Sequence, residues 1–197
     1  MTELDTPISY FPIDASRWGD LEKLFGPRGA CAGCWCMFWR IKRSDFTAQS
    51  GDVNRQMLRA LVESGPVGIL AYVGADPAGW CAVAPREDYT TLERSRVLRR
   101  VDALPTWSIP CFFTARRFRR QGLTEGLLRA AVRFARQQGA ALIEGYPIEP
   151  QKDRYPEPFA FTGFAATFRK VGFNEVARFS ERRPIYRLEI SAGVENE

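Results

Sequence analysis

Between residues 106 and 137 the hydrophobic period of the chain changes once, and that change governs much of what it can fold into. "TWSIPCFFT" (106–114) is an apolar run of β character, whereas Leu123, Leu127, Ala130, Ala131 and Phe134 recur at helical spacing. Between them stand Arg116, Arg117, Arg119 and Arg120, then Gln121, with Gly122 where the helix should begin. A strand feeding a helix through a short basic turn belongs to an α/β layer arrangement. Pro110 lies inside the apolar run and has no N–H for a ladder, so the spacing predicts a bulge or an edge there.

The flanking sequence supplies more strands and helices. "ISYFPI" (8–13) reads as a first strand, followed by a helix with Asp14 as N-cap and Trp18, Leu21, Leu24 and Phe25 on one face. Residues 26–47, rich in glycine and cysteine, are expected to be irregular, and a helix spans about Asp52 to Ser64, ending at Gly65-Pro66. "VGILAYV" and "GWCAVA", joined through Gly74 to Ala78, form a strand–turn–strand signal. Residues 86–101 read as a charged helix burying Tyr89, Leu92, Val97 and Leu98. "AALIEGYP" reads as a buried strand. "FTGFAATFRKVGF" reads as a helix with Phe161, Phe164, Ala165 and Phe168 on one face, closed by Gly172. "NEVARFS" and "PIYRLEI" end the chain as a hairpin pair. With no repeat, low-complexity tract or linker, residues 1–197 are expected to form one domain.

Composition excludes several classes. The 28 Lys and Arg against 23 Asp and Glu leave a net charge of +5, which suits an anionic ligand but falls short of a dedicated nucleic-acid binder. No apolar stretch approaches the roughly 20 residues of a membrane span, and the N-terminus has no basic segment leading into an apolar one. No membrane partner and a cytoplasmic location are expected. Five cysteines, an odd number, suit reduced thiols better than a disulfide framework. The absence of histidine removes Ser-His and Cys-His nucleophiles and every histidine metal site.

The basic turn fits an anion. Helix N-termini present unpaired N–H groups and partial positive charge, and glycine permits close approach to the backbone. The turn has neither the lysine-serine/threonine pair of a Walker A loop nor a G-x-G-x-x-G pattern. An ordinary helix start with solvated arginines is the competing reading.

The order of elements and the sequence Arg119-Arg120-Gln121-Gly122-Leu123-Thr124 resemble the GNAT superfamily of N-acetyltransferases, whose turn after the fourth strand follows [Q/R]-x-x-G-x-[G/A]. "VGILAYVGADPAGWCAVA" resembles the family's second and third strands, and "FRKVGFNEVARFS" its fourth-helix ending and sixth strand. Thr124 departs from the usual small residue. The resemblance implies a single-domain α/β fold with a mixed, mostly antiparallel sheet of about seven strands flanked by helices. It implies acetyl-CoA as co-substrate, its pyrophosphate on the amides of Arg119 to Thr124. It also implies a bulged fourth strand whose backbone at Phe112, Phe113 and Thr114 pairs with pantetheine and directs one N–H at the thioester carbonyl. Phe112 and Phe113 can serve as core side chains at the same time. The expected reaction is direct attack of a primary amine, on a small molecule or a peptide, within a ternary complex. The family often forms dimers, so a homodimer is compatible with it.

Proton transfer is less defined. Glu144, a lone charge inside "LIEGYP", stands where some members of the family place a base, but an ion pair with an arginine explains it equally well. Phe168 occupies the position of the family's usual tyrosine acid, which leaves Tyr146, Tyr155 and Cys111 as substitutes or no acid at all. Cys31, Cys34 and Cys36 offer three thiols where structural zinc takes four ligands, so no metal is expected. Trp35, Phe38 and Trp39 either line the acceptor pocket or pack in the core. Two rival readings are a GNAT-fold protein that binds acyl-CoA without turnover, as a sensor or partner, and a nucleic-acid-binding module.

Overall fold

In the computed structural model, which describes residues 6–49, 51–150 and 161–190, seven strands form one sheet in the order β1-β2-β3-β4-β5-β7-β6. The strands are β1 (Ile8–Pro12), β2 (Gly68–Val73), β3 (Asp76–Pro85), β4 (Trp107–Thr114), β5 (Leu142–Gly145), β6 (Asn174–Arg178) and β7 (Pro184–Glu189). The helices are α1 (Trp18–Phe25), α2 (Arg43–Ala48), α3 (Asp52–Ser64), α4 (Thr90–Glu93), α5 (Leu123–Gln137) and α6 (Ala165–Val171). Strand neighbours are antiparallel except β4 and β5, which run parallel. This is the mixed, mostly antiparallel sheet expected.

The central strands are apolar throughout because helices cover both faces. Ile69, Ala71, Cys81 and Val83 pack with Leu123, Leu127, Leu128 and Ala131 of α5 and Phe168 of α6. Their alternates Leu70, Tyr72, Trp80 and Ala82 pack with Leu21, Leu24 and Phe25 of α1 and Leu58 and Val62 of α3. The period of two sends one set to each layer.

Two registers position the site. Ala82 lies opposite Cys111 but Ala84 lies opposite Ser108, so Ile109 and Pro110 together face Val83. That is a β-bulge in β4, where the absent N–H of Pro110 is tolerated. On the other side β4 pairs with β5 only from Trp107↔Ile143 through Ile109↔Gly145. Past the bulge the two strands part, and β4 runs on to Thr114 without β5.

Three segments differ from the expected pattern. Residues 86–101 form only a 3-10 turn at Arg86–Asp88 and the short α4, and Val97 is exposed. Arg86 is the reason: its guanidinium is buried and donates to the carbonyl of Leu98, which wraps residues 94–98 around a charge instead of continuing a helix. The last helix begins at Ala165, so Phe161 and Phe164 do not share its buried face; Phe164 is exposed. Within the stretch expected to be irregular, Arg43–Ala48 is helical.

Gly145 marks where α6 meets β5. A Cβ there would lie 2.0 Å from the ring of Phe168, so the position admits no side chain while that ring stays in place. Gly145→Ala is expected to destabilise the fold by about 1–3 kcal/mol through overpacking, measured by urea denaturation. Phe168→Leu in the same chain should recover part of the loss; a neutral Gly145→Ala would contradict this packing.

Candidate functional site

The site grows from the parting of β4 and β5. On the side that β5 has left, the N–H of Phe112 donates to the carbonyl of Phe161 at 2.6 Å. The Phe112 ring is buried edge-on against Phe168 at 6.1 Å, so its side chain anchors the strand while its backbone faces the crevice. Phe113 points to the opposite layer, against Phe25 at 5.5 Å. The carbonyl of Thr114 accepts from Arg119 Nε at 3.2 Å, which ties the end of the strand to the turn that follows.

That turn is shaped by two left-handed residues. Arg120 has φ +64° and Gly122 φ +76°, and Gly122 caps α5 with no side-chain hydrogen bond across the first helical turn. A left-handed non-glycine residue costs roughly 1–2 kcal/mol, so Arg120 reports a backbone over-determined by its surroundings. Leu123 is buried and pins the helix start to the core, while Gln121 and Gly122 are exposed and Thr124 half-buried. No heavy atom lies within 4 Å of where a Cβ on Gly122 would stand. The result is an open, uncapped helix N-terminus beside Arg119 and Arg120, a geometry suited to phosphate. The arginine run is not a uniform free face: Arg117 pairs with Asp76 at 3.1 Å and lies over the ring of Phe118.

Glu144 occupies a buried ionic network. Its Oε1 accepts from Arg187 Nη2 at 2.7 Å and Nε at 3.0 Å, while its Oε2 lies 3.4 Å from Arg86 Nη1 and accepts from the Tyr146 hydroxyl at 3.2 Å. Arg86 also donates to the Tyr146 oxygen at 2.8 Å and pairs with Glu93; Arg187 reaches Asp102, and Ser108 and Tyr146 share a hydrogen bond at 2.7 Å. Glu144, Arg86 and Tyr146 are each 1 % exposed or less. Burial, and then the carboxylate beside it, pushes the Tyr146 phenol well above its ordinary value, so it remains a donor. This is the geometry of the ion-pair reading of Glu144, with both carboxylate oxygens held, and not that of a base open to an incoming ammonium.

The aromatic segment divides. Trp35 is 4 % exposed, stacks on Trp18 at 6.1 Å and tilts against Phe25. It is so close to Gly29 that a Cβ there would meet the indole at 2.2 Å. Trp35 is therefore a core residue, and its assignment to an acceptor pocket is corrected; the recess it borders is lined by Glu22, Lys23 and Arg55 and contains no residue of β4. Phe38 and Trp39 do reach the crevice, packing on Phe161 at 6.0 and 6.5 Å. The Trp39 Nε1 is buried without a hydrogen-bond partner among the described residues.

The cysteine cluster also rearranges. Cys31 is exposed, while Cys36 lies under the sheet, where its sulfur accepts from Trp80 Nε1 at 3.1 Å and stands 3.5 Å from Cys111 of β4. Burial, with Cys36 beside it, pushes the Cys34 thiol up to about 12, and contact with Cys36 together with burial raises Cys111 well above the ordinary range. No group of three metal-ligating side chains gathers among the described residues. As for the alternative acids, Tyr146 is committed to the buried network, the Cys111 sulfur stands 3.5 Å from Cys36, and Tyr155 lies outside the described residues.

Sequence reasoning did not find Arg86, Arg187 or Phe161. A lone carboxylate in an apolar strand signals an arginine partner, but with so many arginines nothing local to "PREDY" or "IYRLE" singles out these two. Phe161 looked like one more apolar position in a helical repeat.

Bulged strand, basic left-handed turn and uncapped helix thus follow one another along residues 107–123. The profile of the Acetyltransferase (GNAT) family matches residues 34–150, and the chain belongs to that family. Solved structures share the fold at low identity. A GNAT-family acetyltransferase from Listeria monocytogenes is 13% identical, with 92% of this chain and 94% of that one covered and a TM-score of 0.56. A mosquito arylalkylamine N-acetyltransferase-like 5b is 11% identical, covering 93% and 100%, with a TM-score of 0.59. The NatC complex bound to Gag peptide and CoA contains a chain 12% identical, covering 92% and 98%, with a TM-score of 0.52. No curated protein sequence matches the chain.

Replacing Glu144 tests its place in the network. Glu144→Gln keeps the shape but leaves Arg86 and Arg187 without their shared counter-charge, so a loss of about 3–5 kcal/mol in unfolding free energy is expected. The turnover of the folded fraction should change little. Unchanged stability with turnover lowered by about 10²-fold or more would instead make Glu144 the base.

Proposed function

We propose that this protein transfers the acetyl group of acetyl-CoA to a primary amine by direct attack in a ternary complex. The observation that carries the reading is the continuity of bulged β4, the left-handed Arg120 and Gly122, and the uncapped start of α5. In this reading the amides of Arg119 to Thr124, with the arginines around them, hold the pyrophosphate. The backbone of Phe112 to Thr114 pairs with the pantetheine arm, and the Phe112 N–H faces the thioester carbonyl. Such a donor is worth about 3–4 kcal/mol as the carbonyl becomes an oxyanion. Phe38 and Trp39 border the acceptor side, where aromatic faces suit an amine that is apolar or cationic before it reacts.

Among the described residues, Glu144, Phe168 and Tyr146 do not serve as a free base or acid. Glu144 is held by two guanidinium groups, Phe168 has no hydroxyl, and Tyr146 faces Ser108 and Arg86. Catalysis then rests on approximation of amine and thioester and on the preorganised donor. The amine must arrive neutral, so turnover at sub-saturating acceptor should rise with pH in proportion to the deprotonated fraction of that amine.

The commitment of Glu144 to two guanidinium groups and the lack of a hydroxyl on Phe168 favour the second reading, a GNAT-fold protein that binds acyl-CoA without turnover. An assay for free CoA thiol across amines, aminoglycosides and peptides separates the two, because binding without thiol release in any mixture supports the sensor. A nucleic-acid partner is disfavoured, since Arg117 and Arg119 are already engaged within the chain.

Gly122 gives the decisive variant. Gly122→Glu and Gly122→Ala meet the same left-handed strain, but only the first brings a carboxylate into the field meant for phosphate. Gly122→Glu should abolish acetyl-CoA binding by calorimetry while Gly122→Ala retains measurable affinity. Equal affinities in two folded variants would overturn the assignment of the turn.

A further inference from the structure

The N–H that the acyl donor would need is already in use. Phe112 donates at 2.6 Å to the carbonyl of Phe161, on the edge of β4 that β5 has left, while β3 holds the opposite edge through Cys81↔Phe112. One N–H cannot serve that carbonyl and a thioester at full strength. The residues after Phe161 are seated against the same strand. Gly163, at φ +81°, lies so close that a Cβ would come within 3.1 Å of the Phe168 ring and 3.3 Å of the Phe112 ring. Phe161–Phe164 therefore fills the crevice opened by the bulge.

The two ends of this segment are held differently. Gly163 accepts from the Ile148 N–H at 2.8 Å, the Ala165 N–H donates to Ile148 at 3.0 Å, and Ile148 and Phe164 form a parallel bridge. Phe161 is half-buried, and its contacts with β4 and the aromatic segment are the Phe112 hydrogen bond and the rings of Phe38 and Trp39. The Gly163 end is anchored in backbone, whereas Phe161 is the part that can leave.

We infer that Phe161 is an internal occupant of the acyl-donor site, its carbonyl standing where the thioester oxygen would sit, and that acetyl-CoA binds only when Phe161 withdraws from Phe112. The inference rests on the reading of β4 and the α5 turn as the acetyl-CoA site. No covalent step is involved; one hydrogen bond and two ring contacts are exchanged for the donor's own. Withdrawal also uncovers Phe38 and Trp39, the rings against which Phe161 packs. The apparent affinity for acetyl-CoA is then lowered by the fraction of molecules in which the site is open.

Phe161→Ala removes the ring contacts and leaves the carbonyl weakly held. Acetyl-CoA should bind the variant about threefold or more tightly than wild type, the factor by which the open fraction rises. Adenosine 3′-phosphate 5′-diphosphate, which reaches the turn but carries no pantetheine arm, should bind both proteins equally. Phe161→Leu is the milder substitution should the alanine variant fold poorly. In the wild-type protein itself, nuclear Overhauser contacts between Phe161 and Trp39 should vanish at saturating acetyl-CoA. Unchanged acetyl-CoA affinity in the variants, or contacts that persist in the bound wild type, would overturn the inference while leaving the acetyl-CoA site intact. Failure of wild type and variants alike to bind acetyl-CoA would overturn the site and the occupant together.

Discussion

One irregularity in one strand organises this molecule. Because Ile109 and Pro110 together face Val83, β4 turns away from β5 after three paired residues. A central strand thereby keeps an unpaired backbone edge in the middle of a seven-stranded sheet. Such an edge has to be satisfied, since buried N–H groups without partners are rare and costly. In this chain Phe161 satisfies it; in the proposed function a pantetheine arm and a thioester do. Fold and chemistry meet in that need for a partner.

Charge is handled in two ways. Arg86 and Arg187 are drawn inside, where Glu144, Tyr146 and Ser108 bind β5 to β4 and β7 on the side of the sheet opposite α5. Buried ion pairs of this kind add little net stability, but removing one member leaves the others exposed to the full penalty of burial. The network joins β5 to β4 and β7 on the paired side of the bulge. Arg119 and Arg120 remain at the rim, beside a helix terminus whose amides have no cap. The basic residues of the sequence thus separate into a buried set and a rim set, and the proposed function draws on the second, although their chemistry is the same.

That separation is also where sequence reasoning stopped. The strand–turn–helix unit was legible because its signals are local: an apolar run with a misplaced proline, a glycine at the helix start, and leucines at helical spacing. The bulge followed from Pro110 and appeared where expected. The two-layer core was legible from uninterrupted apolar strands. The helix expected over 86–101 failed because the buried Arg86 claims the Leu98 carbonyl, a contact whose purpose lies on another strand. Trp35, Phe38 and Trp39 could not be told apart, because five residues of loop carry Trp35 against α1 and Phe38 and Trp39 against Phe161. Phe161 fitted a helical repeat, and only the geometry of the sheet reveals that its carbonyl faces an orphaned N–H. Local propensity is readable from local sequence; long-range hydrogen bonds are not.

In the proposed function the parted strand and the turn beyond it form one continuous acyl-donor site. A crystal structure of the protein with a non-hydrolysable acetyl-CoA analogue tests this most directly. Pyrophosphate oxygens are expected within hydrogen-bond distance of the amides leading from Gln121 into α5, and the acyl carbonyl on the N–H of Phe112. An analogue bound elsewhere, or one bound with its pantetheine arm away from β4, would contradict it.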